Sequence, residues 1–265
     1  SYTAAEVAQL EQPSGDCPAR PGTVECGRDD NRTDASLNNE VRLSGAEYNE
    51  VYWDRGSLVA IVNGEPRTSF ITRPSNGRRP PLTPEGERRV RQDRAFREQF
   101  GAYDHPELRP LGERCVVNGS TSGPAGPPIV PKTSYNGNYT IVQTTDHVMI
   151  MTEMIHDARI IPIGDGPPLP DHVRPWFGDS RGHWEGEVLV VETTNLNSLQ
   201  TLQGISPSEE MKVTERFTRV DEETILYEFT VDDPTVYTEP WGGEVTFRRF
   251  NDLLCEYACQ EGNYT

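Results

Sequence analysis

The sequence predicts a mainly β protein: an antiparallel meander forming a barrel or strongly curved sheet, with a few short helices and a long irregular N-terminal arm. Three observations carry that expectation. Apolar and polar residues alternate with a period of two over long stretches of the second half. Short acidic or Gly-containing segments, Glu185-Gly186-Glu187 and Asp221-Glu222-Glu223-Thr224, fall between such stretches and have the content of hairpin turns. Gly and Pro together number 45 among 265 residues, above average usage, so many residues must lie in turns and loops. A β domain can reach this length around one core, and residues 1–265 are expected to form one, with residues 1–50 as the arm.

Taken in order, Thr3 and Glu6 have the spacing of a capping box, which predicts a short helix with Val7 and Leu10 on one face. Residues 12–50 are rich in Gly, Pro, Asp and Asn without periodicity and read as the irregular part of the arm. Short strands are expected at 51–53, 58–62 and 68–72. A helix follows, capped by Thr83 with Pro84 in its first turn, and Val90, Phe96 and Phe100 give it a thin apolar stripe. Residues 101–133, with four prolines from Pro124 to Pro131, read as loop. The meander is then assigned to 139–144, 147–155, 157–163, 188–194, 212–220, 225–231, 244–250 and 253–259. Residues 164–180 interrupt it with a Pro-rich segment long enough to cover a pocket mouth, and read as a lid-like loop.

Composition limits the partners. A formal charge of −17 works against nucleic acid and anionic membrane, because each phosphate contact would oppose the overall field. Residues 67–100 depart from that balance, with nine Arg against four acids, and their expected seat is the acidic remainder of the chain. No stretch approaches the run of about 20 apolar residues that spans a bilayer. Ser1-Tyr2-Thr3 lacks the basic and apolar regions of a signal peptide, so the chain reads as mature, its signal removed. The five cysteines lack paired CxxC spacing and read as disulfides: Cys17 with Cys26, and Cys115 with Cys255 or Cys259. Bridges imply a secreted or periplasmic address. The four sequons, at Asn31, Asn118, Asn138 and Asn263, match a motif short enough to arise by chance.

Two strings, EMIHDARIIP at 153–162 and GDSRGHWEG at 178–186, together with EYAC at 256–259, resemble a large family of exported, mostly uncharacterised bacterial β-proteins. The similarity covers roughly residues 48–265 and implies no particular activity. The hairpins WEGEVLVVETTNL and ERFTRVDEETILYEFTV also look like those of lipocalin-type barrels, an architectural analogy that says little about chemistry.

Four of the five histidines, His147, His156, His172 and His183, fall within 37 residues around these strings. Histidine suits proton transfer at neutral pH, and a neighbouring carboxylate fixes its tautomer. The catalytic candidates are therefore His156 or His183 as acid or base, Asp157 or Asp179 as orienting group, and Arg159 or Arg181 stabilising a developing anion. Such a set suits a lyase, isomerase or hydrolase. The competing reading makes both strings structural, with Asp–Arg pairs stitching the loop to the sheet. Tyr135, Asn136, His147, Glu153, His172, Trp176 and Trp241 are the substrate-binding candidates, Trp241 as the best exposed aromatic beside Gly242-Gly243, while Phe177, Trp184 and Tyr237 are further stacking candidates. His147, His156, His172, His183 and Glu153 supply enough donors for a zinc site, but no pair has HxH or HExxH spacing, and no cofactor is expected.

The expectation is an exported small-molecule enzyme working by cofactor-free His/Asp/Arg chemistry on a polar or aromatic compound. The alternatives are a secreted ligand-binding protein without catalysis and a structural subunit of an extracellular assembly, a homo-oligomer formed through the N-terminal arm.

Overall fold

The computed structural model describes residues 3–10, 60–101, 103–117, 126–130, 137–202, 204–251, 254 and 256–259. The irregular arm at 12–50, the strand expected at 51–53, Cys17, Cys26, Cys255, Tyr135 and Asn136 lie outside them. Helix α1 spans Ala4–Leu10, and the capping box that predicts it is formed: the Glu6 amide donates to Thr3 Oγ1 at 3.3 Å and the Thr3 amide to Glu6 Oε2 at 2.7 Å. A small hairpin, β1 (Ile61–Val62) and β2 (Glu65–Pro66), turns through Asn63 and Gly64, both at positive φ as a two-residue hairpin loop requires.

Antiparallel strands make up the rest. Strands β3 (Ile71–Arg73), β7 (Asp179–Glu185), β8 (Val188–Thr194), β9 (Lys212–Arg219), β10 (Thr224–Asp232) and β11 (Trp241–Arg248) form a six-stranded sheet in the order β3-β11-β10-β9-β8-β7. Strands β4 (Tyr139–Gln143), β5 (His147–Thr152) and β6 (Ala158–Pro162) form a second sheet in sequence order. One parallel bridge, Ile163 to Gly182, joins β6 to β7, and there the Gly164 amide donates to the Gly182 carbonyl at 2.9 Å. The strands thus fall into two sheets linked at one edge.

Alternation decides which face of each strand is buried. On β9, Val213, Glu215 and Phe217 are buried, and register places Leu189, Val191 and Thr193 of β8 and Tyr227, Phe229 and Val231 of β10 beside them. On the small sheet Val148, Ile150, Arg159 and Ile161 are buried. The two faces share one apolar cluster. Tyr139 at the start of β4 packs on Phe247 of β11, with ring centroids 5.6 Å apart, whereas Gln143 at its end lies with Trp184 of β7. Strand β4 therefore crosses the large sheet near the hairpin ends. A β-carbon on Gly182 would come within 2.6 Å of Ile163 Cδ1, so the absence of a side chain lets β6 close on β7.

Several expectations change. Residues 253–259 carry no strand among the described positions there. Strand β7 arises inside a string read as a motif and shortens the lid-like loop. Residues 126–130, read as loop, are all buried, with Ile129 and Val130 in the shared cluster. That segment fills interior space which a ligand-binding barrel would keep open. Cys115 pairs with Cys259, their Cα atoms 5.7 Å apart, which resolves the choice between Cys255 and Cys259.

Helix α2 (Pro84–Arg97) departs furthest from its expected seat. Thr83 caps it, accepting from the Gly86 amide at 3.0 Å as predicted. Its first turn is fixed to the body: the Thr83 amide donates to the Val236 carbonyl at 2.9 Å, and Gly86 lies buried against that same carbonyl. Beyond this turn residues 90–100 are exposed, Phe96 and Phe100 among them. The Arg residues pair along their own helix, Arg88 and Arg89 with Glu85, Arg91 with Glu87, Arg94 with Glu98 and Arg97 with Asp93.

Candidate functional site

The structure separates the residues that the HDAR and SRGHW strings bring together in sequence. Arg159 points inward from β6 and meets Glu215 of β9, Nη1 to Oε2 at 2.7 Å and Nη2 to Oε1 at 3.1 Å, with side chains 2% and 0% exposed. Tyr227 donates to Glu215 Oε1 at 2.8 Å and accepts from the Ile129 amide at 2.8 Å. Burial, and then the Glu215 charge, push the Tyr227 hydroxyl well above its ordinary pKa. This network lies inside the core and seats the buried segment 126–130.

Asp179 and Arg181 sit on the opposite face of β7 from Ser180 and Gly182, 3.4 Å apart. Asp179 Oδ2 accepts from the Leu169 amide at 2.7 Å, Arg181 Nη2 donates to the Pro167 carbonyl, and Asn195 donates to the Leu169 and Pro170 carbonyls. These bonds tie the Pro-rich loop to the sheet, as the structural reading of the motif expects. His183, on the same outer face and exposed, lies 3.5 Å from Glu185, which Arg216 holds at 2.8 Å. Arg216 first and His183 second keep the Glu185 carboxyl below its usual range.

The remaining candidates also part company. His156 is exposed and turns the chain between β5 and β6, with Ile155 and His156 at φ 58° and 48°. That left-handed pair is a cost borne by a tight turn, most of all at the β-branched Ile155. Asp157 accepts from the Thr152 amide at 2.9 Å through its backbone carbonyl. Glu153 falls within the strand expected at 147–155; β5 ends before it, and its buried carboxylate accepts from Asn138 at 3.0 Å. His147 faces outward beside Asp146, Nδ1 to Oδ1 at 3.0 Å, and His172 is exposed in the loop. Trp176 is half-buried, and its carbonyl accepts from Gln200. Trp241, expected to be exposed, is 0% exposed: it opens β11, and alternation turns its ring inward against Phe229 and Tyr237. Among the described residues no three His, Cys, Asp or Glu gather closely enough to hold a metal ion.

A different set does converge. At the hairpin ends an open groove of about 620 Å³ is lined by Gln143, Trp184, Gly186, Glu187, Arg219, Asp221 and Glu222. Trp184 continues the inward row of Ser180 and Gly182 on β7, and Arg219 that of Val213, Glu215 and Phe217 on β9. Both lie where the sandwich ends, so Trp184 remains 44% exposed. The Arg219 guanidinium is used by its own turn, Nε to the Asp221 carbonyl at 3.2 Å and Nη2 to the Glu222 carbonyl at 3.1 Å. Asp221 accepts from the Glu223 amide at 2.8 Å, a bond that holds its carboxyl below the usual range and ionised at neutral pH. The groove offers an indole surface beside Glu187, Asp221 and Glu222.

Sequence reasoning assigned Trp184 to stacking without a place, and read Asp221 and Glu222 only as a turn. The usable signal was an aromatic and a cation ending two inward-facing rows beside acidic hairpins. No family model, no curated protein and no solved structure matches the chain.

Proposed function

We propose that this is an exported recognition protein whose binding site is the hairpin-end groove, and that it selects ligands carrying a positive charge beside an apolar or aromatic group. The observation that carries the reading is Trp184, 44% exposed at the end of a core-facing row and flanked in the groove by Glu187, Asp221 and Glu222. A cation over an indole face gains about 0.5–1 kcal/mol at an exposed site, and nearby carboxylates add attraction at low salt. Among the described residues the lining holds no histidine, cysteine or serine to act on what it binds. Acid–base catalysis by the histidine-rich strings draws less support, because Arg159 is committed to Glu215 in the core while Asp179 and Arg181 hold the loop. Export is supported by the Cys115–Cys259 bridge. A lipocalin-like reading has the support of two sheets over one core and of the β6–β7 bridge, with the binding site at one end.

The test is titration with benzyltrimethylammonium, with benzoate as the anionic control, followed by tryptophan fluorescence in the parent protein and in Trp184→Phe. Saturable quenching by the cation alone, lost in the variant and weakened by salt, is expected. Equal response to both ions, or an unchanged response in the variant, sinks the reading.

A further inference from the structure

Two exposed features of the molecule are complementary. One is helix α2, a rod of roughly 21 Å at 1.5 Å per residue, which among the described residues is fixed to the body only through its first turn. At its far end Phe96 and Phe100, 52% and 44% exposed, form an edge-to-face pair with centroids 5.2 Å apart. Arg94 and Arg97 stand beside them with side chains 80% and 65% exposed. The other feature is the groove, an exposed indole with three carboxylates whose single arginine is already bonded to its own turn.

Charge gives the occupant. Residues 67–100 hold nine Arg against four acids, whereas the rest of the chain holds 16 Lys and Arg against 38 Asp and Glu. Within one molecule the basic segment docks on the acidic remainder only in part, through Arg67 on Glu244 among the described residues, whereas residues 90–100 are exposed. The same attraction is available between molecules, where it steers association and is screened by salt. Aromatic and Arg anchors seated in a pocket are the contacts that dominate protein interfaces.

We infer that the tip of α2, with Phe96, Phe100, Arg94 and Arg97, docks in the Trp184 groove of a second copy of this chain. The inference rests on the groove being a site for cationic aromatic ligands, and it names the natural occupant. Each molecule carries one tip and one groove, so association needs no further component. The helix pairs Arg94–Glu98 and Arg97–Asp93 are exposed and weak, leaving the guanidinium groups free to turn toward Glu187, Asp221 and Glu222 of the second copy.

Sedimentation equilibrium of the full chain tests this. The parent protein associates at low salt and at least about tenfold more weakly at high salt, where screening is shorter-ranged. Phe96→Ser with Phe100→Ser removes the tip, and Glu187→Lys with Glu222→Lys reverses the groove; each variant alone is monomeric under conditions where the parent associates. An equimolar mixture of the two associates again, because one supplies an intact groove and the other an intact tip. That complementation is not reproduced by variants that merely fail to fold. A parent protein monomeric throughout, association untouched by either pair of substitutions, or a monomer whose helix instead binds phosphatidylglycerol vesicles overturns the inference. Benzyltrimethylammonium binding separates the levels: a monomer that still binds the probe at Trp184 removes this inference alone, and one that does not removes the groove reading with it.

Discussion

The interior network and the hairpin-end groove use the same kinds of residue under opposite conditions. Each has an arginine, carboxylate chemistry and an aromatic ring. In the interior, Arg159 and Glu215 are withdrawn from water, and the Tyr227 hydroxyl bridges them to the Ile129 amide of the buried segment. At the groove Arg219 spends its guanidinium on turn carbonyls, leaving Trp184 and three carboxylates open to solvent. Solvent access decides the role: a buried charge must be matched on the spot, whereas an exposed one can wait for a partner.

The largest effect expected from breaking this contrast is at Glu215. Glu215→Ala leaves Arg159 charged and unpaired in the core and the Tyr227 hydroxyl without its acceptor, a loss of about 3–5 kcal/mol. Urea denaturation measures it. Combining Glu215→Leu with Arg159→Met removes both charges and recovers most of that loss; a double variant as unstable as Glu215→Ala would show the pair to be stabilising in itself. Next is Tyr227→Phe, which leaves the Ile129 amide and Glu215 Oε1 each short of one bond and costs about 1–3 kcal/mol.

The same hydroxyl sets a pH dependence. Burial raises the pKa of Tyr227, and also of Tyr139, above the ordinary tyrosine value. A raised folded-state pKa means the folded protein keeps its protons while the unfolded chain gives them up. The contribution is fully present below about pH 10 and is lost as pH rises above that value. The melting temperature is therefore expected to fall above pH 10, and less steeply in Tyr227→Phe. An identical slope in parent and variant would remove Tyr227 as a cause.

How much of this was legible depended on the side-chain period. Strand β8 is found at the residues that alternation assigns, and β4, β5, β6, β9 and β10 are close to theirs, because one face of each meets the core. The Thr83 and Thr3/Glu6 caps were legible because capping is local chemistry. Strand β7 was hidden: its inward row is Ser180, Gly182 and Trp184, without an aliphatic signal, and its outward row carries the charges that read as catalysis. The buried run 126–130 was hidden for a related reason, since Pro and Gly signal loops and period says nothing of a segment threaded through a core. Trp241 misled because its Gly neighbours read as a turn, although they belong to β11. The groove unites two hairpin turns and the end of β4, a tertiary coincidence that no single stretch encodes.

Trp184→Ala sharpens the contrast from the open side. It is expected to change stability by less than about 1 kcal/mol, as partly exposed positions do, while removing the benzyltrimethylammonium response. A large loss of stability would show that the indole closes the core, and the groove would then have to be redrawn. The smallest effect is expected on α2. Glu85 is held down to about 2, first by its bond to Arg88 and then by that to Arg89. The sign follows from a depressed carboxylate: whatever the pairs contribute is present above the ordinary glutamate value near 4.3 and is lost as pH falls toward 2. Yet the group is partly open to solvent, where such pairs add little. Glu85→Gln should therefore leave the denaturation midpoint within error and lower helicity by circular dichroism slightly. A clear shift of the global midpoint would mean that α2 is packed against something in solution, and a midpoint that also rises with protein concentration would identify a second copy as what it packs against.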